Sequence, residues 1–574
     1  MVSEGTELYL LTFGIIVAYV GFLVSLYSSR KSMKEIFKEL KIDRRTLLLA
    51  FAVALVFLFV ELLVVQPTQQ LYFDDAIYQG VAQQLLHTGQ AWFCDYGTPT
   101  ACFTGEIFHE PIGTSFNLAI AFGIFGVNLA TAFNTMLVLS FISVLLVFFV
   151  ALLMFKDVKA AVFSELLMGL APLLLVWARP TTSDVPMLMY SLVAVFSMLV
   201  FIRRKNLGTF GLALFSLAMA TYMKVDAVIF VAIILAMYVI LDDKSIISSI
   251  KSNVRALNRN WLNTGVLLVI LFFALSVGPE ISYAYMQLQT GNYGYQGAPV
   301  QNTCSTSAPS ATAQGSFTLQ NFESNVCANV FFWFNQYASQ DIMQPWEYTI
   351  FAVFGALALF IYGRKRRELL AIGIWFLVFF FIYAFFYAGG VTYGVDWRFQ
   401  ISLLAQASLL GGFGFAAAYG LITNAISKHR RIIAEAIVSI ALLAIILYPI
   451  YSLYPNLSIS PVSIQEAADA RFYEGFVYGN ISHVPNSCLI YSYDPTLMNI
   501  NNRTSKQLSY IYDSQDFAAM QAQYPCLVVD WGYWCYTPNN LCTNLNQSFN
   551  MTPIITARFA EFGRTYGFYY VKQK

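Results

Sequence analysis

Two adjacent carboxylates, Asp74 and Asp75, open an amphipathic stretch that runs from Tyr72 to Gly89. A carboxylate can take a proton from a hydroxyl or amine, or hold a divalent cation or an acceptor group. It is also the residue type that caps a helix, here one starting near Ala76, and one residue can serve both ends. His109-Glu110-Pro111 reads as a polar site or as a proline-started helix with a charged flank. In Arg179-Pro-Thr-Thr-Ser-Asp184-Val-Pro186, Asp184 either caps the following helix or shares a metal or positions a substrate hydroxyl beside Asp74. Lys224 and Asp226 lie between two apolar runs, as a mutual salt bridge or with the lysine serving as cation for a lipid phosphate. Arg398, in YGVDWRFQ, has the same two readings, as phosphate cation or as interfacial anchor beside Trp397.

The elements that must position these residues are apolar helices. Of 574 residues 58% are hydrophobic and only 11% charged, too few charges to cover a soluble surface. A net charge of +1 offers nothing to nucleic acid. Apolar runs at 8–28, 46–66, 130–154, 160–177, 185–202, 207–223, 227–241, 262–284, 348–362, 369–388, 401–422 and 432–450 predict about twelve transmembrane helices, the first a true span rather than a cleaved signal. The stretch Ile112–Gly126 reads as a surface or re-entrant helix. Segments 29–45, 155–159, 203–206, 242–261, 363–368 and 423–431 carry 23 of the 33 Lys and Arg. The positive-inside rule makes these cytoplasmic and both termini external.

Three long segments then fall outside: 67–129, 285–347 and 451–574. All eight cysteines lie in them, Cys94, Cys102, Cys304, Cys327, Cys488, Cys526, Cys535 and Cys542, as an oxidising compartment requires. Cys94–Cys102 and Cys304–Cys327 are the expected local disulfides, and pairing among the last four is open. Sequons begin at Asn456, Asn480, Asn502, Asn546 and Asn550. The tail reads as a small α/β domain, with a helix over Ile464–Tyr478, buried strands at Cys488–Tyr493 and Cys526–Asp530, and two more near Ile554–Phe559 and Tyr566–Val571. This divides the chain into an extra N-terminal span and basic loop (1–45), a transmembrane domain (46–450) and an extracytoplasmic domain (451–574).

Six motifs in order resemble the polyprenyl-phosphate-sugar-dependent GT-C membrane glycosyltransferases, the group of protein O-mannosyltransferases and aminoarabinose transferases of lipid A. They are FDDAIYQGVAQQLLHTGQAW, FHEPIGTSFNLAIAFGIFG, TTSDVPML, ATYMKVDAV, the Trp- and Tyr-rich FFWFNQYASQDIMQPWEYTI, which contains Glu347, and DWRFQISLLAQ. The resemblance covers about residues 46–420. It departs at Asp75, where the family usually has Glu, and at Glu110, where some relatives carry Lys.

The resemblance implies a GT-C fold and a membrane enzyme that moves a sugar from a polyprenyl or dolichyl phosphate carrier to a glycan, lipid or protein acceptor on the extracytoplasmic face. Asp74 would be the base, and Asp75 and Asp184 would hold acceptor or metal. Lys224 and Arg398 would stabilise the leaving phosphate, with His109 and Arg179 as further phosphate contacts and Glu110, Asp226 and Glu347 as other site candidates. A divalent cation (Mg, Mn or Zn) would sit at Asp74 and Asp184. The rival readings are an oligosaccharyltransferase-like enzyme, with DWGYW at Asp530–Trp534 standing for that family's WWDYG, and a flippase or transporter of lipid-linked sugars.

Overall fold

The computed structural model describes residues 4–40, 42–65, 72–108, 111–242, 267–275, 345–361, 365–385, 396–425, 436–448, 464–536 and 540–574, with a few isolated positions between them. Cys304, Cys327 and most of the expected span 262–284 lie outside the described residues.

The membrane part is a bundle of helices α1 (Glu4–Glu39), α2 (Arg44–Leu63), α3 (Tyr72–Thr88), α4 (Gly113–Phe125), α5 (Leu129–Phe155), α6 (Val158–Gly169), α7 (Pro172–Trp177), α8 (Asp184–Arg204), α9 (Leu207–Met223), α10 (Phe230–Leu241), α11 (Trp346–Ile361), α12 (Arg366–Phe385), α13 (Ile401–Ala425) and α14 (Ala436–Tyr448). Among the described residues six helices are long and apolar enough to cross a membrane, and five apolar helices are shorter. The expected count of twelve is therefore not reached within them. The run 160–177 is not one span but two helices, because Pro172 has no N–H to donate and drives the preceding Ala171 into an extended conformation (ψ 123°). Phe51, Phe59, Leu63, Phe360 and Ile361 are exposed, as lipid-facing side chains are, and the chain is a multi-pass membrane protein.

Sequence-local chemistry sets the helix ends. Asp43, Asn128, Asp157 and Asn206 each accept a backbone N–H as N-caps of α2, α5, α6 and α9. Lys156 and Lys205 stand just before two of these caps in the left-handed conformation (φ 53° and 49°), so that α5–α6 and α8–α9 reverse within two residues. One end of the bundle gathers cations. Arg204 bonds Glu39 at 2.8 Å, Lys205 bonds Asp242 at 2.6 Å, and Lys365 donates to the carbonyl of Phe155. At the centre α8 is buried at every position from Asp184 to Phe201.

The other end carries a seven-stranded sheet in the order β2-β1-β4-β3-β5-β7-β6. Strands β3 (Leu489–Ser492), β4 (Ser505–Gln507), β5 (Leu527–Trp531), β6 (Phe549–Phe559) and β7 (Arg564–Gln573) come from the tail. Strands β1 (Trp92–Thr98) and β2 (Ala101–Ile107) are a hairpin from the segment that follows α3. β1 pairs antiparallel with β4, Tyr96 opposite Lys506 and Gly97 opposite Ser505, so the sheet spans two regions some four hundred residues apart. β4, β3 and β5 run parallel, and LIYS of β3 is buried on both faces, as a central parallel strand requires. Around them are α15 (Ile464–Asn480), α16 (Pro495–Ile500) and α17 (Ser514–Gln523). Disulfides join Cys94 to Cys102 within the hairpin, Cys488 to Cys526 at the starts of β3 and β5, and Cys535 to Cys542. Asn502, Asn546 and Asn550 are exposed, the Asn480 amide donates to the Phe476 carbonyl (2.8 Å), and Asn456 lies outside the described residues.

Asp530 on β5 is 1% exposed and accepts from Tyr473 Oη (2.5 Å) and Ser492 Oγ (2.8 Å). Burial pushes its carboxyl up from 3.8 to about 6; the two hydrogen bonds oppose that rise and the neighbouring Asp494 adds to it. A carboxyl raised in the folded state holds a proton that the unfolded chain releases, so its contribution falls as pH climbs from about 4 to 6 and levels off above. Two pH units correspond to roughly 3 kcal/mol. The thermal unfolding midpoint of the detergent-solubilised protein should decline more steeply over that interval than that of Asp530→Asn. Equal pH slopes would contradict this assignment.

Candidate active site

The site forms where three connections meet at the sheet end of the bundle. Asp184 is the first residue of α8 and 1% exposed. The N-cap position belongs to Ser183, which makes no side-chain capping bond, so the capping reading of Asp184 is not what its carboxylate does. Instead Asp184 Oδ1 is 2.7 Å from Lys224 Nζ and Oδ2 is 3.8 Å from Arg398 Nε. Lys224 ends α9 in an extended conformation before a 3₁₀ turn, Val225–Ile229, and is also 3.7 Å from Asp226. The mutual pair read from the sequence exists, but Asp184 is the closer partner. Arg398 sits in a second 3₁₀ turn, Asp396–Gln400, leading into α13. Lys224 Nζ lies 3.9 Å from the centroid of Phe399 and Arg398 lies 5.5 Å from it, an aromatic floor for both cations. Each cation side chain keeps 14% exposure. The result is two cations that converge on one buried carboxylate, each with a largely but not fully buried side chain.

The acidic pair stands on α3, which begins at Tyr72. Neither Asp74 nor Asp75 is therefore a cap; both lie in the first turn, favoured there by the helix dipole. The Asp74 side chain falls outside the described residues. Asp75 is fully buried; Thr181 Oγ1 lies 3.3 Å from its Oδ1 and 3.1 Å from its backbone carbonyl, and Gln79 Nε2 donates to the same Thr181 oxygen (2.9 Å). Thr181 precedes Asp184 by three residues, so one loop touches both Asp75 and the cation cluster. Ser115 of α4 donates to the carbonyl of Tyr78 (2.9 Å). The first turns of the stretch Ile112–Gly126 are thus largely buried against α3, while Ile124 and Phe125 near its end are exposed.

Arg179 and Glu347, two other candidates among the described residues, have neighbours of their own. Arg179 is paired with Glu61 of α2 (3.9 Å), a fully buried acid that sequence reading passed over. A single Glu inside the apolar run 46–66 was the available signal, since an acid there needs a partner. Glu347 lines a groove of about 310 Å³ with Ala444, Ile445 and Tyr448. His109 and Glu110 lie outside the described residues. Also missed was a buried polar knot below the site, in which Tyr19 Oη donates to Asn117 Oδ1 (2.8 Å) and Tyr190 Oη reaches both (3.2 and 3.3 Å). Both Asp184 carboxylate oxygens face cations, and the side chain of Asp74, the other residue expected to hold a metal, lies outside the described residues. Among the described residues no three His, Cys, Asp or Glu side chains converge elsewhere to hold one.

The helical bundle topped by a sheet domain is the GT-C glycosyltransferase fold. The chain resembles ArnT from Cupriavidus metallidurans, solved with undecaprenyl phosphate, at a TM-score of 0.52 and 11% identity, over 92% of this chain and 97% of that one. It resembles the Archaeoglobus fulgidus oligosaccharyltransferase in the apo form at a TM-score of 0.51 and 13% identity, over 84% of this chain and 69% of that one. Residues 109–276, which contain Asp184, Lys224 and Asp226, match the family model of dolichyl-phosphate-mannose-protein mannosyltransferases. The family-model match covers the region that holds Asp184 and Lys224, and the structural likenesses show a shared fold. No curated protein sequence matches it.

Removing one partner from a buried ion pair leaves an uncompensated charge and costs about 3 kcal/mol or more. Lys224→Met and Asp184→Asn should each lower the unfolding midpoint in detergent, and the double variant should lose clearly less than the sum of the two. Additive losses would show that the two side chains do not act on each other.

Proposed function

We propose that the protein transfers a sugar from a polyprenyl- or dolichyl-phosphate carrier to a hydroxyl or amine on a glycan, lipid or protein acceptor, on the extracytoplasmic side of the cell membrane. The observation that carries this reading is the convergence of Lys224 and Arg398 on Asp184. The donor is a phosphodiester with one negative charge. Asp74 takes the proton of the acceptor group, whose oxygen or nitrogen attacks the anomeric carbon. The bond from that carbon to the phosphate oxygen breaks with inversion, and polyprenyl phosphate leaves as a monoester. Negative charge grows on the phosphate as that bond breaks, and Lys224 and Arg398 meet it in a partly dry site where such contacts count most. Asp184 orients the cations, Asp226 trims their net charge, and Asp75 fixes the first turn of α3 through Thr181. Every step is accounted for without a metal. Three disulfides at the sheet end and a concentration of cations at the opposite end support the orientation.

The oligosaccharyltransferase-like alternative leaned on DWGYW. Asp530 of that segment is buried in the sheet and hydrogen-bonded to Tyr473 and Ser492, which argues against a role in reading an acceptor.

Release of lipid phosphate by purified protein given undecaprenyl- or dolichyl-phosphate sugars tests the proposal. Asp74→Asn should cut turnover at least 100-fold, the scale of general-base catalysis, while still binding donor. Full turnover in Asp74→Asn would remove the base, and an inert wild-type protein across these donors would remove the function.

A further inference from the structure

The helix that carries the two acids is seated on the sheet domain. At Gly80 an added Cβ would stand 2.4 Å from Thr496 Cγ2 and 2.7 Å from Thr496 Cβ, so α3 and α16 touch with no room for a side chain. One turn on, Gln83 Nε2 donates to the carbonyl of Asn499 (3.3 Å). Gln83, Thr496 and Asn499 are all at least 98% buried.

The seat is itself tied down. Asp494 caps α16 by accepting from Leu497 N (3.1 Å), and its own N–H donates to Ser492 Oγ (3.1 Å) at the end of β3. Ser505 Oγ of β4 donates to the Pro495 carbonyl (2.7 Å). With its amide turned to satisfy both atoms, Asn499 donates to the carbonyls of Gly97 (3.2 Å) on β1 and Arg503 (2.8 Å). β1 follows α3 after Gly89, whose φ of 74° turns the chain out of the helix. The sheet therefore holds α3 twice, by a covalent link at its C-terminal end and by α16 against its face. The bundle holds it a third time through Thr181, on Asp75 and Gln79.

We propose that α16 is a positioning element of the active site, in which Thr496 under Gly80 and the Asn499 carbonyl under Gln83 set the height and rotation of α3 and so the placement of its first turn. This rests on Asp74 being the base. Gly80 is six residues, about 9 Å of helix, from Asp74. The segment between them is continuous helix, so a shift at Gly80 is carried toward the first turn and loads the Thr181 contacts there. Admitting a Cβ at Gly80 demands a displacement of about 1 Å, and an error of that size at a reacting group costs on the order of 100-fold.

Gly80→Ala should lower kcat 10- to 100-fold with donor affinity unchanged. Thr496→Gly in the same chain removes both atoms in the way and should return most of the lost rate. Both variants should melt within a few degrees of the wild type, and kcat is taken per folded molecule. Hydrogen exchange reads the seat without turnover, with α3 amides losing protection in Gly80→Ala and regaining it in the double variant. A folded Gly80→Ala with wild-type kcat, or a rate loss that Thr496→Gly does not relieve, would overturn the proposal. Wild-type protein that turns over no lipid-phosphate sugar, while exchange responds as described, would instead mark failure of the functional reading and leave the contact as structure alone.

Discussion

Asp184 is a carboxylate only 1% exposed to solvent, and the site is organised around how it is compensated. Taking such a group out of water costs several kcal/mol unless cations reach it with good geometry. Lys224 arrives from the end of α9 and Arg398 from the turn before α13, two segments that no local rule brings together. The pairing fixes three connections relative to α8, the helix buried along most of its length. It also holds both cations in place before any ligand arrives. Preorganised charge of this kind needs no rearrangement when negative charge develops, and that is where its catalytic value lies.

The second constraint is the path of α3. Its first turn is bound to the loop that bears Asp184, its middle rests on α16, and its end runs into a strand of the distal sheet. The membrane bundle and the sheet domain are thus joined through the helix that carries the acids. Gly80 and Thr496 give the junction its closeness, while the Cys94–Cys102 disulfide closes the hairpin that follows. A sheet domain connected in this way acts on the geometry of the site as well as covering it.

Much of this was legible in the sequence, and the rest was hidden for identifiable reasons. Apolar runs and basic clusters announced the bundle, and the polar residues at its sheet end announced the cation cluster. The short apolar runs CLIYSY and CLVVD announced β3 and β5. The β1–β2 hairpin was invisible as part of the same sheet because its partner, Ser505–Gln507, is three residues long and lies in the tail. Capping misled at two acids. Asp74 and Asp184 have the residue type of a cap, but α3 starts earlier, at Tyr72, and Ser183 takes the cap position of α8. A side chain's type limits its roles, and only its neighbours choose among them. Arg179 shows the same limit, since the resemblance implied a phosphate contact there while Glu61, on another helix, is the charge it meets.

The most direct test of the account is an experimental structure of the protein with undecaprenyl or dolichyl phosphate bound. The account predicts the phosphate at Lys224 and Arg398, within ion-pair distance (~4 Å) of both, with Asp184 still paired to them. A phosphate lodged elsewhere, with Lys224 and Arg398 engaged only by their own carboxylates, would contradict it.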